Sequence, residues 1–321
     1  MRILVVGPGA IGSLFAGMLT SGGHDVWLLG RRREVVDTIN RDGITIQQVW
    51  TGATLQIPVR ATVDPGKAAQ AELIVVCTKC PGVRQATRDA LPAAGEGTVF
   101  LTVQNGLGSV DTMASVAGRE RVLAGVTSNG TTLLGPGSIR HSWMGDTIIG
   151  ELDGQVTKRL EQVAEALRQS EIKVAVSRSI DLPIWTKLVA NCAMSPLAAL
   201  LRVKNGQLVE RPEARELLRA VVREVLSVAE ARGVALPPFS EIVEKVETNC
   251  RNNATNKMSM LQDVERGAPT EIDYINGAVV KEGEAAGVPT PINRALTQLV
   301  KALTHPAEAA PFSPESPDPP Q

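Results

Sequence analysis

Within the stretch WTKLVANCAMSP, Trp185 to Pro196, the polar side chains Lys187, Asn191 and Ser195 recur every four residues among apolar neighbours. On a helix that spacing drifts by only about 40° per step, so the three share one narrow stripe. Leu188, Val189, Ala190, Cys192, Ala193 and Met194 cover the rest of the circumference, and a helix apolar nearly all round is buried. An ammonium buried without a partner is costly, so something polar must face the stripe. Histidine is scarce, with only His24, His141 and His305. That argues against a Ser-His-Asp arrangement and leaves proton chemistry to other groups, the lysine first among them.

A second constellation lies at the N-terminus. In RILVVGPGAIGSLFAGML the residues Gly7, Pro8, Gly9, Ala10, Ile11 and Gly12 form GxGxxG directly after a strand-like run and at the start of an apolar-periodic helix. The first glycine permits a tight turn and the second lets backbone approach a pyrophosphate. The third lets the helix pack closely on its strand, and the helix N-terminus offers unpaired N–H donors. A dinucleotide is the expected ligand. An NAD site commonly places an acid at the end of the second strand. Here that strand, DVWLL, starts with Asp25 and runs into Gly30-Arg31-Arg32-Arg33. Guanidinium forks suit a 2′-phosphate, so the expectation is NADPH with Arg31 as its contact.

These residues need elements to hold them. The first half alternates apolar runs, Arg2–Val6, Asp25–Leu29, Leu73–Cys77, Thr98–Val103 and Val122–Val126, with helical patterns around Ala10–Ser21, Arg32–Arg41 and Val83–Leu91. That is the signature of a doubly wound, Rossmann-type α/β domain with a parallel sheet. Ile44–Gln48 with Thr54–Pro58, and Thr131–Leu134 with Ser138–Ser142, read as antiparallel hairpins. Beyond Lys173–Ser177 the chain reads as helix: Pro183–Leu201, Pro212–Arg232, Phe239–Asn249, Glu271–Ala286 and Asn293–Leu303. We therefore expect a dinucleotide domain over 1–178, an all-helical domain over 179–304, and a disordered proline-rich tail over 305–321. Thr270 as N-cap, with Glu271 in the first turn and Asp273 completing a capping-box pattern, is the expected start of the fourth helix.

A length of 321 residues allows about two domains. A net charge of -1 argues against a nucleic-acid partner. No apolar run is expected to span a membrane, and two residues before ILVV leave no room for a signal peptide, so the expected compartment is cytoplasmic. Cys77 and Cys80 form a lone CxxC, with no second pair and few histidines, which disfavours a metal or redox site.

GPGAIG at 7–12, VQNG at 103–106, WTKLVANC at 185–192, SMLQD at 259–263 and TEIDYING at 270–277 occur in this order. In these blocks the chain, from Met1 to about Leu303, resembles the 2-dehydropantoate 2-reductase (ketopantoate reductase) family. The resemblance implies reduction of ketopantoate to pantoate with NADPH, on the route to pantothenate and coenzyme A. It further implies Lys187 as proton donor, and Asn191, Asn205, Asn256 and Ser259 as substrate contacts. Asn105 would lie between nicotinamide and substrate. Lys79 and, through its backbone, Gly130 would contact the cofactor, and Glu271 would lie near the nicotinamide ribose and the lysine. Where the family carries an asparagine, this chain has Ser195, shorter and with one donor, which leaves the identity of the keto acid open.

The chemistry agrees with those residues. Hydride at a keto carbon needs a proton at its oxygen, and a lysine can stabilise the alkoxide and then protonate it. Burial lowers a lysine's pKa and a nearby carboxylate raises it, so Glu271 beside Lys187 would keep the acid form available. Two other readings stand: the same reaction on another bulky 2-keto acid, and a dinucleotide-binding sensor without catalysis. The long helices of the second half could supply the face of a homodimer.

Overall fold

The computed structural model describes residues 1–304; the segment expected to be a disordered tail lies outside the described residues. The first half runs β1 (Arg2–Val6), α1 (Ala10–Ser21), β2 (Asp25–Leu29), α2 (Arg33–Asp42), β3 (Ile44–Gln48), β4 (Thr54–Ile57), β5 (Arg60–Thr62) and β6 (Ala71–Val76). It continues through α3 (Val83–Ala90), β7 (Ala94–Thr102), α4 (Ser109–Ala117), β8 (Val122–Thr127), β9 (Gly130–Gly135), β10 (Ser138–Trp143), β11 (Thr147–Glu151), α5 (Lys158–Gln169) and β12 (Val174–Val176). The second half is helical: α6 (Asp181–Leu201), α7 (Gln207–Glu210), α8 (Pro212–Ala231), α9 (Phe239–Asn252), α10 (Ser259–Glu265), α11 (Asn276–Ala286) and α12 (Pro291–Thr304).

Runs such as ILVV and LIVV are buried on both faces because helices cover both sides of the sheet they form. Its order is β12-β11-β8-β7-β6-β1-β2-β5. All pairings are parallel except β11 on β8. Strand order reverses beside β1, with β2 on one flank and β6 on the other, so the loops after β1 and β6 open at a topological switch point. One core packs α1, α2 and α5 against the sheet, and a second packs α3 and α4 on the opposite face. A third core belongs to the helices and centres on α6 and α8.

The fold is the expected α/β architecture with a helical second half, but some elements differ from the sequence reading. The two hairpins are not separate interruptions. β10 pairs in parallel with β3, joining them into one four-stranded sheet, β4-β3-β10-β9. Strands β5 and β11 and helices α4, α5, α7 and α10 extend the reading. The helix expected over Glu271–Ala286 is broken. A short 3-10 turn over Ile272–Tyr274 precedes Ile275, at φ -105°, ψ -96°, and α11 begins only at Asn276. The physical reason is that the Tyr274 carbonyl is diverted to accept the Leu107 N–H at 2.9 Å, across the two halves. Thr270 is accordingly not the N-cap, and Asp273 pairs with Lys301 at 3.0 Å instead of closing a capping box.

Contrary to expectation, α6 is long and apolar enough to cross a bilayer by length and composition. Its apolar surface is instead taken up inside the helical core, where Leu188, Val189, Cys192 and Met194 are buried. Pro196 lies within it and lacks the N–H that the Cys192 carbonyl would receive. The buried Asn276 side chain replaces that donor, its Nδ2 reaching the Cys192 carbonyl at 3.0 Å. This bond fastens the start of α11 to the middle of α6, one and a half turns beyond Lys187.

Candidate active site

The glycine loop is shaped by contacts that leave no room for side chains, except at one position. Gly7 has φ +103°, and a Cβ there would come within 2.9 Å of the Thr78 side chain. A Cβ on Gly12 would fall 1.9 Å from the Gly7 carbonyl oxygen. At Gly9, the N-cap of α1, an added Cβ would meet nothing within 4 Å, and no side chain caps the helix. The loop therefore presents bare backbone and free N–H donors toward open space, which is what an approaching pyrophosphate requires. Pro8, Ala10 and Ile11 complete it. Beyond β2, Arg31 is exposed, and neither it nor Arg32 or Arg33 forms an ion pair among the described residues. Asp25 is occupied at the far end of that strand by Arg2 and Arg60, whose hydrogen bonds hold its carboxyl below the usual range. The residues present fit a dinucleotide.

Lys187 reaches from α6 to the end of β8, where its Nζ donates to the Thr127 carbonyl. Burial pushes the amine down to about 8, and the Glu271 carboxylate pulls the other way. Glu271 is held in turn by the first half: its Oε1 accepts the Cys80 N–H at 3.0 Å, and the Cys80 thiol donates to the Asn105 carbonyl at 3.0 Å. Burial raises both the Cys77 and Cys80 thiols, so neither is a ready thiolate. Among the described residues no three His, Cys, Asp or Glu side chains converge as for a metal ion.

The structure thus gathers Lys187, Glu271, Cys80 and Asn105 at the seam of the two halves. Asn205 and Asn256 also meet, through the Asn205 N–H and the Asn256 carbonyl at 3.0 Å, and Gly206 is pressed against Ala254. Asn191 is half-buried, while Asn256 and Ser259, at the start of α10, are exposed. Ser195 and Asn205 are buried, and Ser195 Oγ and Asn205 Oδ1 have no hydrogen-bond partner among the described residues. Gly130 opens β9, facing Trp143 of β10. Lys79 is engaged between the halves: its Nζ lies 2.7 Å from Asp263 and donates to the Pro269 carbonyl at 2.9 Å. Burial raises the Asp263 carboxyl and Lys79 opposes that shift.

Sequence reasoning missed Asp263, Asn276, Cys80 and Gln104 as parts of this seam. The Gln104 amide ties the β7 loop to the Val76 and Thr78 carbonyls at 2.6 and 3.1 Å. Three of these stand inside blocks already singled out, SMLQD, TEIDYING and VQNG, which was the available signal. A cavity of about 630 Å³ also lies between the halves, beside Leu107, Trp185, Tyr274 and Arg232. None of the residues expected to act lines it, so the chemistry is not placed there.

A glycine loop at a sheet's switch point, joined through Glu271 to a desolvated amine on a helical half, defines a two-domain, nicotinamide-dinucleotide-dependent oxidoreductase. The chain belongs to the ketopantoate reductase PanE/ApbA family, whose N-terminal model matches residues 3–154 and whose C-terminal model matches residues 179–304. It is 36% identical over 301 residues to the 2-dehydropantoate 2-reductase of Halobacterium salinarum, covering 94% of this chain and 98% of the relative. It is 31% identical to that of Vibrio cholerae, with 94% and 98% covered. A PanE/ApbA family ketopantoate reductase from Ralstonia eutropha JMP134 superposes with a TM-score of 0.87 at 30% identity, over 95% of this chain and 98% of that one. A D-mandelate dehydrogenase solved with NADH and anilino(oxo)acetate gives 0.88 at 27% identity, again over 95% and 98%. The activity supported by these relatives is oxidoreduction at a CH–OH group.

Proposed function

We propose that this chain reduces ketopantoate to pantoate with NADPH, residues 1–178 holding the dinucleotide and residues 179–304 the keto acid. Gly7 to Gly12 would take the pyrophosphate and Arg31 the 2′-phosphate, with Lys79, Asn105, Gly130 and Glu271 as further cofactor contacts. Asn105, Lys187, Asn191, Ser195, Asn205, Asn256 and Ser259 would hold the substrate. A bound nicotinamide dinucleotide supplies the hydride in such chemistry. Lys187 stabilises the negative charge that grows on the keto oxygen and gives it a proton. The Thr127 carbonyl engages one ammonium hydrogen and leaves others free for that oxygen. Glu271 preserves the ammonium against the cost of its burial.

The observation that carries this reading is the desolvated Lys187 amine, seated at the seam with Glu271 acting on it. The test follows NADPH absorbance as ketopantoate is added to purified protein, with oxidation as the expected outcome. Equal or better use of NADH, or an Arg31→Ala variant whose NADPH preference is unchanged, would overturn the cofactor assignment.

A second reading keeps the chemistry and changes the acid. Ser195, short and with an orphaned hydroxyl, supports a different side chain on the 2-keto acid, and the similar D-mandelate dehydrogenase was solved with an aromatic oxoacid amide. Oxidation with bulkier keto acids, and none with ketopantoate, would select it. Tight NADPH binding without turnover across the whole panel would instead indicate a sensor.

A further inference from the structure

The link between β8 and β9 is only two residues long, yet it joins two points of the proposed site: the Thr127 carbonyl, on which the Lys187 amine is seated, and Gly130. One tie on this link is backbone: the Ser128 N–H, in the same peptide plane as that carbonyl, donates to the Asp146 carbonyl at 2.8 Å. The others are side chains. Asn129 Nδ2 donates to Thr127 Oγ1 at 2.9 Å, and Thr147 of β11 donates to the same oxygen at 2.9 Å. The remaining Asn129 oxygen faces His141 Nε2 at 2.9 Å.

His141 comes from the smaller sheet and is itself immobilised. It is buried at 3% exposure, and β10 holds it opposite Gln48 of β3. Its carbonyl accepts the Val49 N–H at 3.0 Å, and the Trp50 ring meets its imidazole edge-on, centroids 4.6 Å apart. Burial pushes the ring below the ordinary histidine range, against a smaller pull from the Trp143 backbone, so it stays neutral. With one proton, and an acceptor facing Nε2, that nitrogen carries the hydrogen and donates to Asn129.

We propose that His141 and Asn129 are positioning residues for the reaction at Lys187, locking the Thr127 carbonyl onto the amine through a chain of neutral hydrogen bonds. The proposal rests on Lys187 as proton donor. It also gives the four-stranded sheet a function: it templates the end of β8. The carbonyl favours the ammonium form, so its release lets the amine lose its proton at lower pH and slackens its aim, and misplacement by about 1 Å can cost roughly 100-fold in rate. Glu271 is the charged group acting on this amine, whereas Thr127, Asn129, Thr147 and the neutral His141 carry no charge.

The test uses the full chain with lysines ¹³C-labelled, following the Lys187 Cε resonance against pH, assigned by its loss in Lys187→Met. In Asn129→Ala and His141→Leu the midpoint is expected to fall by about 0.5–1 pH unit. On whichever 2-keto acid the wild type reduces, kcat should drop about tenfold or more while the dinucleotide Kd stays within about threefold. His141→Gln, whose amide can still donate to Asn129, should keep wild-type values. A folded His141→Leu or Asn129→Ala with an unmoved midpoint and normal kcat overturns the proposal. Asn129 is half-exposed in a loop, so its truncation decides the matter should His141→Leu not fold. If no keto acid is reduced, the proposed function fails, while the resonance still tests the lock.

Discussion

The glycine loop after β1 and the middle of α6 are linked through Thr78, Cys80 and Glu271, and they are built from opposite materials. The loop works with backbone: its glycines remove side chains, and its donors are the free N–H groups of a helix start, so no charged group is desolvated. The lysine helix works with one side chain whose charge is taken out of water, and it needs a carbonyl, a carboxylate and a helix-to-helix tie to keep it there. The first kind of site is local in sequence. The second draws on residues 60 to 84 positions away, because a buried charge must be compensated from every side.

That contrast is broken most directly by Lys187→Ala. Removing the proposed proton donor is expected to lower turnover by roughly 100- to 10,000-fold, with dinucleotide affinity nearly unchanged as measured by titration. A variant that turned over normally would remove the amine from the chemistry. The loop offers a paired test. Gly12→Ala drives a methyl into the Gly7 carbonyl and should cost about 1–3 kcal/mol of stability together with most dinucleotide binding. Gly9→Ala meets only open space, so thermal unfolding should match wild type while dinucleotide affinity falls about tenfold or more, about 1.4 kcal/mol. Normal binding by Gly9→Ala would mean that the loop is not approached there.

The difference also explains what was legible beforehand. β1, α1 and β2 match their expected bounds because glycine turns and apolar runs are local signals. The Lys187 stripe was legible as a contradiction, a charge in an apolar helix. Its resolution was not, since Thr127, Asn276 and Cys80 reach it only through tertiary contact. The break at Ile275 was invisible for the same reason: TEIDYING has helical spacing, and only the Leu107 N–H across the seam draws the Tyr274 carbonyl away. Helix α4 escaped notice between two strands that dominated the reading of alternation, whereas α5 follows β11, a strand that was itself not read.

The pH dependence sharpens the comparison further. The acid form of Lys187 is its ammonium, present below about 8, so kcat/KM for reduction should fall as pH rises through that value. In Glu271→Gln the amide oxygen can still accept the Cys80 N–H, but the charge that favours the ammonium is gone. The falling limb should therefore move to lower pH, by about one unit or less. A limb that stayed put, or moved up, would detach Glu271 from the amine.

The smallest effect is expected where the two kinds of construction meet, at Lys79. Its ammonium bridges from the loop after β6 to the buried Asp263 and the Pro269 carbonyl, so Lys79→Met removes one charge of an interdomain pair. Stripping the partner from a fully buried carboxylate typically costs 3–5 kcal/mol. Here the lysine side chain is 45% exposed, and Arg266 remains 3.3 Å from Asp263. Solvent screening and that second guanidinium bring the expected loss to about 1 kcal/mol, read as a small drop in Tm. If Lys79 serves only to join the halves, that drop is the whole effect. If it also contacts the dinucleotide, affinity must fall in the folded variant as well, and the two measurements on one protein separate a structural clamp from a ligand contact.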